Sequence, residues 1–300
     1  MCRSWKTTVI LPLFVLVTLM AVAFAQQAQP LTVQKIKGNV YLVKGGNGAN
    51  TGFYVGDREV LLIDAKMTAD AMKQVVEEVK KVTPLPITRL VLTHSDGDHV
   101  NGLNGLPKGL KIYGHPQTKK DLEAAAQAAN TQYLADYLPT ETCSPCTASR
   151  ESAQTFSMGS AQVQLYHFGP AHTSGDLVVW FPAERVAFVG DLAFVGRDPL
   201  IHRQKGGSSR GLAETLQALI ALNAEAYLTG HSDPLTRQDI ETLSKSLAEK
   251  RDKVKAMVAE GKSLDDIKQS FGVKDAPAQA GRPRFPSLIE IIYLELTEKK

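Results

Sequence analysis

Short apolar runs bounded by glycine, proline or aspartate recur along the chain at 40–43, 52–55, 60–63, 89–93, 111–113, 163–168, 177–181 and 186–189. Runs of this length, rich in Val, Ile, Leu and Phe, read as buried strands. Between them apolar positions space out at three and four, which predicts helices at about 68–82, 117–129 and 211–222. Strands alternating with helices place the chain in the α/β class. After residue 236 the texture changes: Ile240, Leu243, Leu247, Val254, Met257 and Val258 repeat at helical spacing among Lys and Glu. Gly261 stops this helix, and Ser263 with Asp266 three residues on predicts the capped start of another. A proline-rich link, 277–286, leads to a last apolar segment at 288–296. The stretch 236–300 therefore reads as a helical appendage packed on the preceding domain.

Chemistry concentrates where predicted strands end. Asp64 closes the run LLID, and Thr93-His94-Ser95-Asp96-Gly97-Asp98-His99 follows the next strand. His172 lies in GPAHTSGD, Asp191 in FVGDLAF and His231 in LTGHSD. Four of the seven histidines sit in these segments, and imidazole with carboxylate is what a divalent metal site needs. The tight cluster puts four candidate ligands on one turn, which Gly97 allows to fold back sharply. A solvated Asp-Gly turn is the bland alternative for that cluster alone. The similar placement of His172, Asp191 and His231 argues against it.

This order of motifs resembles the metallo-β-lactamase-fold metallohydrolases. Their pattern is an early Asp, then His-x-His-x-Asp-His, a His in a GHT-like turn, an Asp in a GD turn and a late GH. The chain supplies Asp64, His94-Ser95-Asp96-Gly97-Asp98-His99, Ala171-His172-Thr173, Gly190-Asp191 and Gly230-His231, over roughly residues 31 to 235. The resemblance implies a four-layer αβ/βα sandwich within 26–300. It implies one ion held by His94, Asp96 and His172, another by Asp98, His99 and His231, with Asp191 bridging and Asp64 orienting the cluster loop. One departure stands out: Asp96 occupies the place of the family's second histidine. With two divalent ions and a bridging hydroxide, three carboxylates leave the centre neutral, where the family's imidazole would leave one positive charge. A less positive centre acidifies water less, and a carboxylate favours harder ions such as iron or manganese. The flavodiiron proteins, a branch of the same fold, carry a carboxylate there and hold iron.

The activity implied is an exported metal-dependent hydrolase that uses a metal-bridging water or hydroxide on an ester, thioester or lactam-type bond. Asp98 and Asp191 are its expected catalytic residues, and two divalent ions, zinc before iron or manganese, its cofactors. The alternatives are an iron-dependent oxidoreductase site, motivated by Asp96, and a catalytically silent metal-binding protein.

Composition adds the compartment. Arg3 and Lys6 precede an apolar run from about Val9 to Phe24 that closes with Ala23-Phe24-Ala25, the parts of a secretory signal over 1–25. A retained membrane anchor is the alternative. Removal of this segment predicts a periplasmic or secreted protein without lasting membrane insertion. Thirty-four Lys and Arg against thirty-one Asp and Glu give +3; without Arg3 and Lys6 the balance is +1, with no basic stripe for nucleic acid. A small-molecule substrate is expected instead. Cys143 and Cys146, spaced Cys-Ser-Pro-Cys, read as a disulfide in an oxidising compartment. Gly45-Gly46-Asn47-Gly48 reads as a hairpin turn, and His115 and His167 as hydrogen-bonded structural histidines. The loop carrying His202, Arg203 and Lys205 through Arg210 reads first as a solvated loop, and second as a basic contact for an anionic substrate.

Overall fold

The computed structural model describes residues 29–129, 132–143, 154–274 and 285–298; the 1–25 segment, Cys146 and most of the proline-rich link lie outside them. Its first sheet follows chain order, β1 (Gln29–Lys37), β2 (Val40–Gly46), β3 (Thr51–Val55), β4 (Val60–Ile63), β5 (Ile87–Val91), β6 (Lys111–Gly114) and β7 (Glu141–Thr142). The first four strands pair antiparallel and β4 to β7 pair parallel. The second sheet runs β12 (Ala226–Thr229), β11 (Val186–Gly190), β10 (Val178–Phe181), β9 (Ala161–Tyr166) and β8 (Gln154–Met158), with β11 and β12 parallel.

Both faces of these sheets are buried, which is why the central strands read as continuous apolar runs. In β4 the period-two alternation sends Leu61 and Ile63 inward, to meet Val163, Leu165, Val179, Phe181 and Phe188 of the second sheet. Val60 and Leu62 point outward against α1 (Ala69–Val82), which buries Met72, Val75 and Val79 at helical spacing. The Thr68 hydroxyl caps α1 by accepting from the Ala71 amide, and α2 (Gly97–Val100), α3 (Pro116–Ala129) and α4 (Gln132–Ala135) follow in chain order. On the far side, Val178, Trp180, Ala187 and Tyr227 pack against Leu212, Leu216 and Leu219 of α5 (Ser209–Leu222). Ile240, Leu247 and Val254 of α6 (Arg237–Ala259) and Ile289, Ile291 and Ile292 of α8 (Leu288–Thr297) join the same cluster. The result is helix, sheet, sheet, helix. A capping box of Ser263 and Asp266 opens α7 (Leu264–Ser270), as its spacing predicts.

The strands that the apolar pattern does not show are β1, β7, β8 and β12, all at sheet edges: β1 and β8, QPLTVQKIK and QTFSM, have one face to water and carry mostly polar residues, β7 is two residues long, and β12 is the four-residue run AYLT. Gly45 and Gly46 take positive φ at the end of β2, and the hairpin to β3 forms as read. Cys143 is disulfide-bonded and buried between the sheets, so that its segment is pinned beside β6. Among the described residues no helix is long and apolar enough to cross a membrane.

Candidate metal centre

The segments after β4, β5, β9, β11 and β12 converge at one edge of the sandwich. Three buried histidines meet there: His94 and His99 have ring centroids 4.1 Å apart, and His94 and His172 4.7 Å apart. Each has its Nδ1 committed. His99 Nδ1 donates to Asp64 Oδ2 at 2.7 Å and His172 Nδ1 to the Leu200 carbonyl at 2.8 Å. Thr93 Oγ1 gives its proton to Asp64 Oδ2 at 2.8 Å, so at 2.9 Å it receives the one on His94 Nδ1. With Nδ1 as donor, every ring turns its Nε2 towards the common centre, the orientation that metal-binding imidazoles adopt.

Asp64 organises this arrangement from below. It is fully buried, sits at φ 64°, and also accepts from the Thr93 amide at 2.8 Å. The carboxylate thus ties β4 to the start of the cluster loop and to His99 at once. The short helix α2 (Gly97–Val100) then presents Asp98 and His99 side by side. Asp191 follows β11, and its oxygens lie 3.2 Å from His99 Nε2 and 3.2 Å from His231 Nε2. His231 Nε2 is 3.1 Å from Asp98 Oδ2. Gly230 has to be glycine: a Cβ there would stand 2.3 Å from Asp191 Oδ1 and 2.7 Å from the His99 ring.

Two groups of ligand atoms result, His94 with His172 and Asp191, and Asp98 with His99 and His231, each with all atoms within 4.8 Å of one another. His94 Nε2, His99 Nε2 and Asp191 Oδ1 are buried without a hydrogen-bond partner. Buried polar atoms are normally satisfied; here His94 Nε2 makes no hydrogen bond, and His99 Nε2 and Asp191 Oδ1 have a 3.2 Å ion pair with each other in place of one, which a cation held by these groups would explain. The donor set of imidazoles and carboxylates suits zinc, iron or manganese.

The electrostatics agree. Burial, with His99 and His172 close by, holds the His94 pKa well below the usual imidazole range. Burial also opposes charge on His172 and His231, but Asp96, Asp176 and Asp191 around the first and Asp191 and Asp98 around the second outweigh it, and both rise to about 9. In His99 burial is likewise overcome, by Asp64 and Asp191, which hold the ring well above its ordinary value. Asp191 lies well below the carboxylate range despite its burial, because His99 and His231 face it. Protons and a cation would compete for the same lone pairs.

The model of the metallo-beta-lactamase superfamily matches residues 38–231, about two thirds of the chain. The chain belongs to that superfamily. It is 26% identical over 191 residues to "Metallo-beta-lactamase type 2" from Elizabethkingia meningoseptica, covering 58% of this chain and 70% of that protein. Against "Metallo-beta-lactamase IND-1" from Chryseobacterium indologenes the identity is 24% over 183 residues, with the same coverage. The solved metallo-beta-lactamase from Pontibacter korlensis superposes with a TM-score of 0.58 at 18% identity, covering 72% of this chain and 99% of that one, which shows the shared fold.

The superfamily pattern leaves Asp96 to be placed. Asp96 Oδ2 is 3.0 Å from His172 Nε2 and 3.9 Å from His94 Nε2, so one oxygen borders the first group. Oδ1 turns away and accepts from Lys205 Nζ at 2.7 Å and His202 Nδ1 at 3.1 Å. The solvated-loop reading of residues 202–210 is therefore wrong: His202 and Lys205 meet Asp96, Ser208 caps α5, and Ser209 is buried at its start. His202 and Lys205 face the centre because a short turn (Arg203–Lys205) folds back onto the His172 loop. Glycine in the left-handed region at Gly206 permits the reversal. The signal available in the sequence was a His-x-x-Lys pair before a Gly-Gly, too common to single out. His115 and His167 lie outside both groups. Their rings are 4.1 Å apart, His115 Nδ1 accepts from the Gln117 amide, and His167 Nδ1 donates to the Asp176 carbonyl, so both are hydrogen-bonded as read.

Proposed function

We propose that the chain is a metal-dependent hydrolase holding two divalent ions, zinc before iron or manganese, and acting on an ester, thioester or lactam-type bond of a small molecule. The observation that carries this reading is the juxtaposition of two three-residue ligand groups in which His94 Nε2, His99 Nε2 and Asp191 Oδ1 are buried and make no hydrogen bond. His94, His172 and one oxygen of Asp96 would hold the first ion, and Asp98, His99 and His231 the second. Asp191 offers an oxygen towards His99 and another towards His231 and would join the two. Bound ions would supply Lewis acidity, which makes water a nucleophile near neutrality and polarises the scissile carbonyl.

The side chains have separable tasks. Asp98 is 26% exposed while Asp191 is 5% exposed, so Asp98 is the carboxylate that an entering water reaches and the one placed to orient it and take its proton. Asp191 keeps the two groups at a common distance. Asp64 and Thr93 hold the ring tautomers. Phe194 is buried and stacks beside His231 at 5.9 Å, and the exposed Arg197 guanidinium lies 4.2 Å above the Phe194 ring, a basic group near the centre for a substrate carrying negative charge. The curated relatives are named as β-lactamases, which makes a lactam one member of the substrate class.

The test is to strip the protein with a chelator, reload it with zinc, iron or manganese, and assay esters, thioesters and lactams. Metal-dependent turnover that His99→Ala lowers by orders of magnitude is expected, and no turnover under any loading overturns the reading. The carboxylate at 96 favours the iron-dependent oxidoreductase as the second reading. Iron rather than zinc in protein purified without added metal would select it. We also read 1–25 as an export signal and the mature protein as periplasmic or secreted, which retention of those residues on the purified protein would refute.

A further inference from the structure

We infer that Lys205, seated by His202, is the counter-charge that lets a carboxylate serve at position 96, so that residues 96 and 205 act as one unit in setting how tightly, and with which metal, the first position fills. The inference rests on the metal reading above. Asp96 is split between two duties: Oδ2 borders His172 and His94, and Oδ1 belongs to Lys205 and His202. An exposed pair of this kind would mean little. Here Asp96 is 15%, His202 14% and Lys205 24% exposed, and the ammonium has a second acceptor in the Ser95 carbonyl at 2.9 Å.

The turn that carries Lys205 is stitched to the loop that carries His172. The His202 amide donates to the His172 carbonyl at 2.7 Å, and the Ser208 amide to the Ala171 carbonyl at 2.8 Å. The Ser174 amide and hydroxyl both donate to the Lys205 carbonyl at 2.9 Å. Gly207 admits no side chain, because a Cβ would stand 2.2 Å from the His172 carbonyl. Lys205 is thus held in place by the same backbone that holds a candidate ligand, and does not gain its position from Asp96 alone.

Charge then explains the departure from the superfamily pattern. An imidazole at 96 is neutral, and a carboxylate adds one negative charge, which the adjacent ammonium cancels. Exchanging Asp96 for His while Lys205 stays would leave an ammonium facing a dication with the neutral Ser95 carbonyl and no counter-charge. Exchanging both restores the balance. Lys205 is a positioning residue in this scheme, acting through Asp96.

The experiment is a double-mutant cycle on the full chain, with Asp96→His, Lys205→Met and the pair, plus Lys205→Arg as the charge-conserving control. Ions per chain are counted by elemental analysis after reloading with zinc and with manganese, and affinities follow from chelator competition. Asp96→His alone should weaken the first zinc by about tenfold or more, inside the range found for members of one ion-pair network. Adding Lys205→Met should recover most of that loss and shift preference from manganese towards zinc, while Lys205→Arg should keep the original affinity. Additive effects, or Asp96→His binding zinc as tightly as the pair, overturn the inference while leaving the metal reading intact. Parent protein that binds no ion overturns both. Should Asp96→His fold poorly, thermal unfolding of the ion-free proteins reads the same coupling: the midpoint should fall further with Lys205 present than after Lys205→Met, and equal falls count against it.

Discussion

Asp64→Asn changes no candidate ligand and keeps the shape of the side chain, yet it should disable the second metal position. Asparagine tolerates the left-handed backbone found at φ 64°, so the substitution tests charge and hydrogen bonding rather than strain. The carboxylate accepts three hydrogen bonds, from the Thr93 amide, the Thr93 hydroxyl and His99 Nδ1. An amide has one oxygen and an NH2 that only donates. If the NH2 takes the Oδ1 place it meets the Thr93 N–H, donor against donor. If it takes the Oδ2 place, His99 Nδ1 must become the acceptor, and the proton moves to the Nε2 that should carry the lone pair. Either arrangement leaves a buried donor unpaired or uses the wrong tautomer. Loss of a charge-assisted hydrogen bond and of a buried partner costs about 2–4 kcal/mol in the ion-free fold. For the second ion, removal of the group that orients an imidazole costs about 10–100-fold in affinity, or roughly 1.4–2.8 kcal/mol. Chelator competition measures the second figure and urea denaturation of the ion-free protein the first. A folded Asp64→Asn protein that binds two ions as tightly as the parent would refute the tautomer argument.

Two further outcomes follow from the same geometry. Gly230→Ala should force its Cβ against Asp191 Oδ1 and the His99 ring, which costs about 1–3 kcal/mol in stability and lowers affinity for both ions; unchanged metal content and midpoint would mean that the loop yields freely. In ion-free protein His172 and His231, with pKa values of about 9, keep protons at neutral pH that a cation must displace. His99, held well above the ordinary imidazole value, has a proton to lose as well, so zinc affinity should rise as pH rises from neutrality through about 9. Calorimetry in buffers of different ionisation enthalpy should show proton release, and its absence near pH 7 would contradict the environment assigned to these rings.

Much of the site was legible along the chain. His94, Asp98, His99, His172, Asp191 and His231 each follow an apolar run, and the structure brings all six to one edge. The helical tail was legible too, since its apolar positions keep helical spacing until they meet the second sheet. The edge strands β1 and β8 were not, because a strand wet on one face carries no apolar run to read.

What the residue order by itself determined is the inventory and the local geometry: apolar segments long enough to be buried, ended by turns rich in imidazole and carboxylate. Those are short-range properties, set by residue type and spacing. Tertiary structure decided which hydrogen bond each polar atom makes. Asp64 meets His99 across 35 residues and Lys205 meets Asp96 across 109, and no local rule connects such positions. Only the packed sheets bring them within 3 Å, and at that distance the neighbour's charge decides whether Asp96 is a burden on the centre or a working part of it.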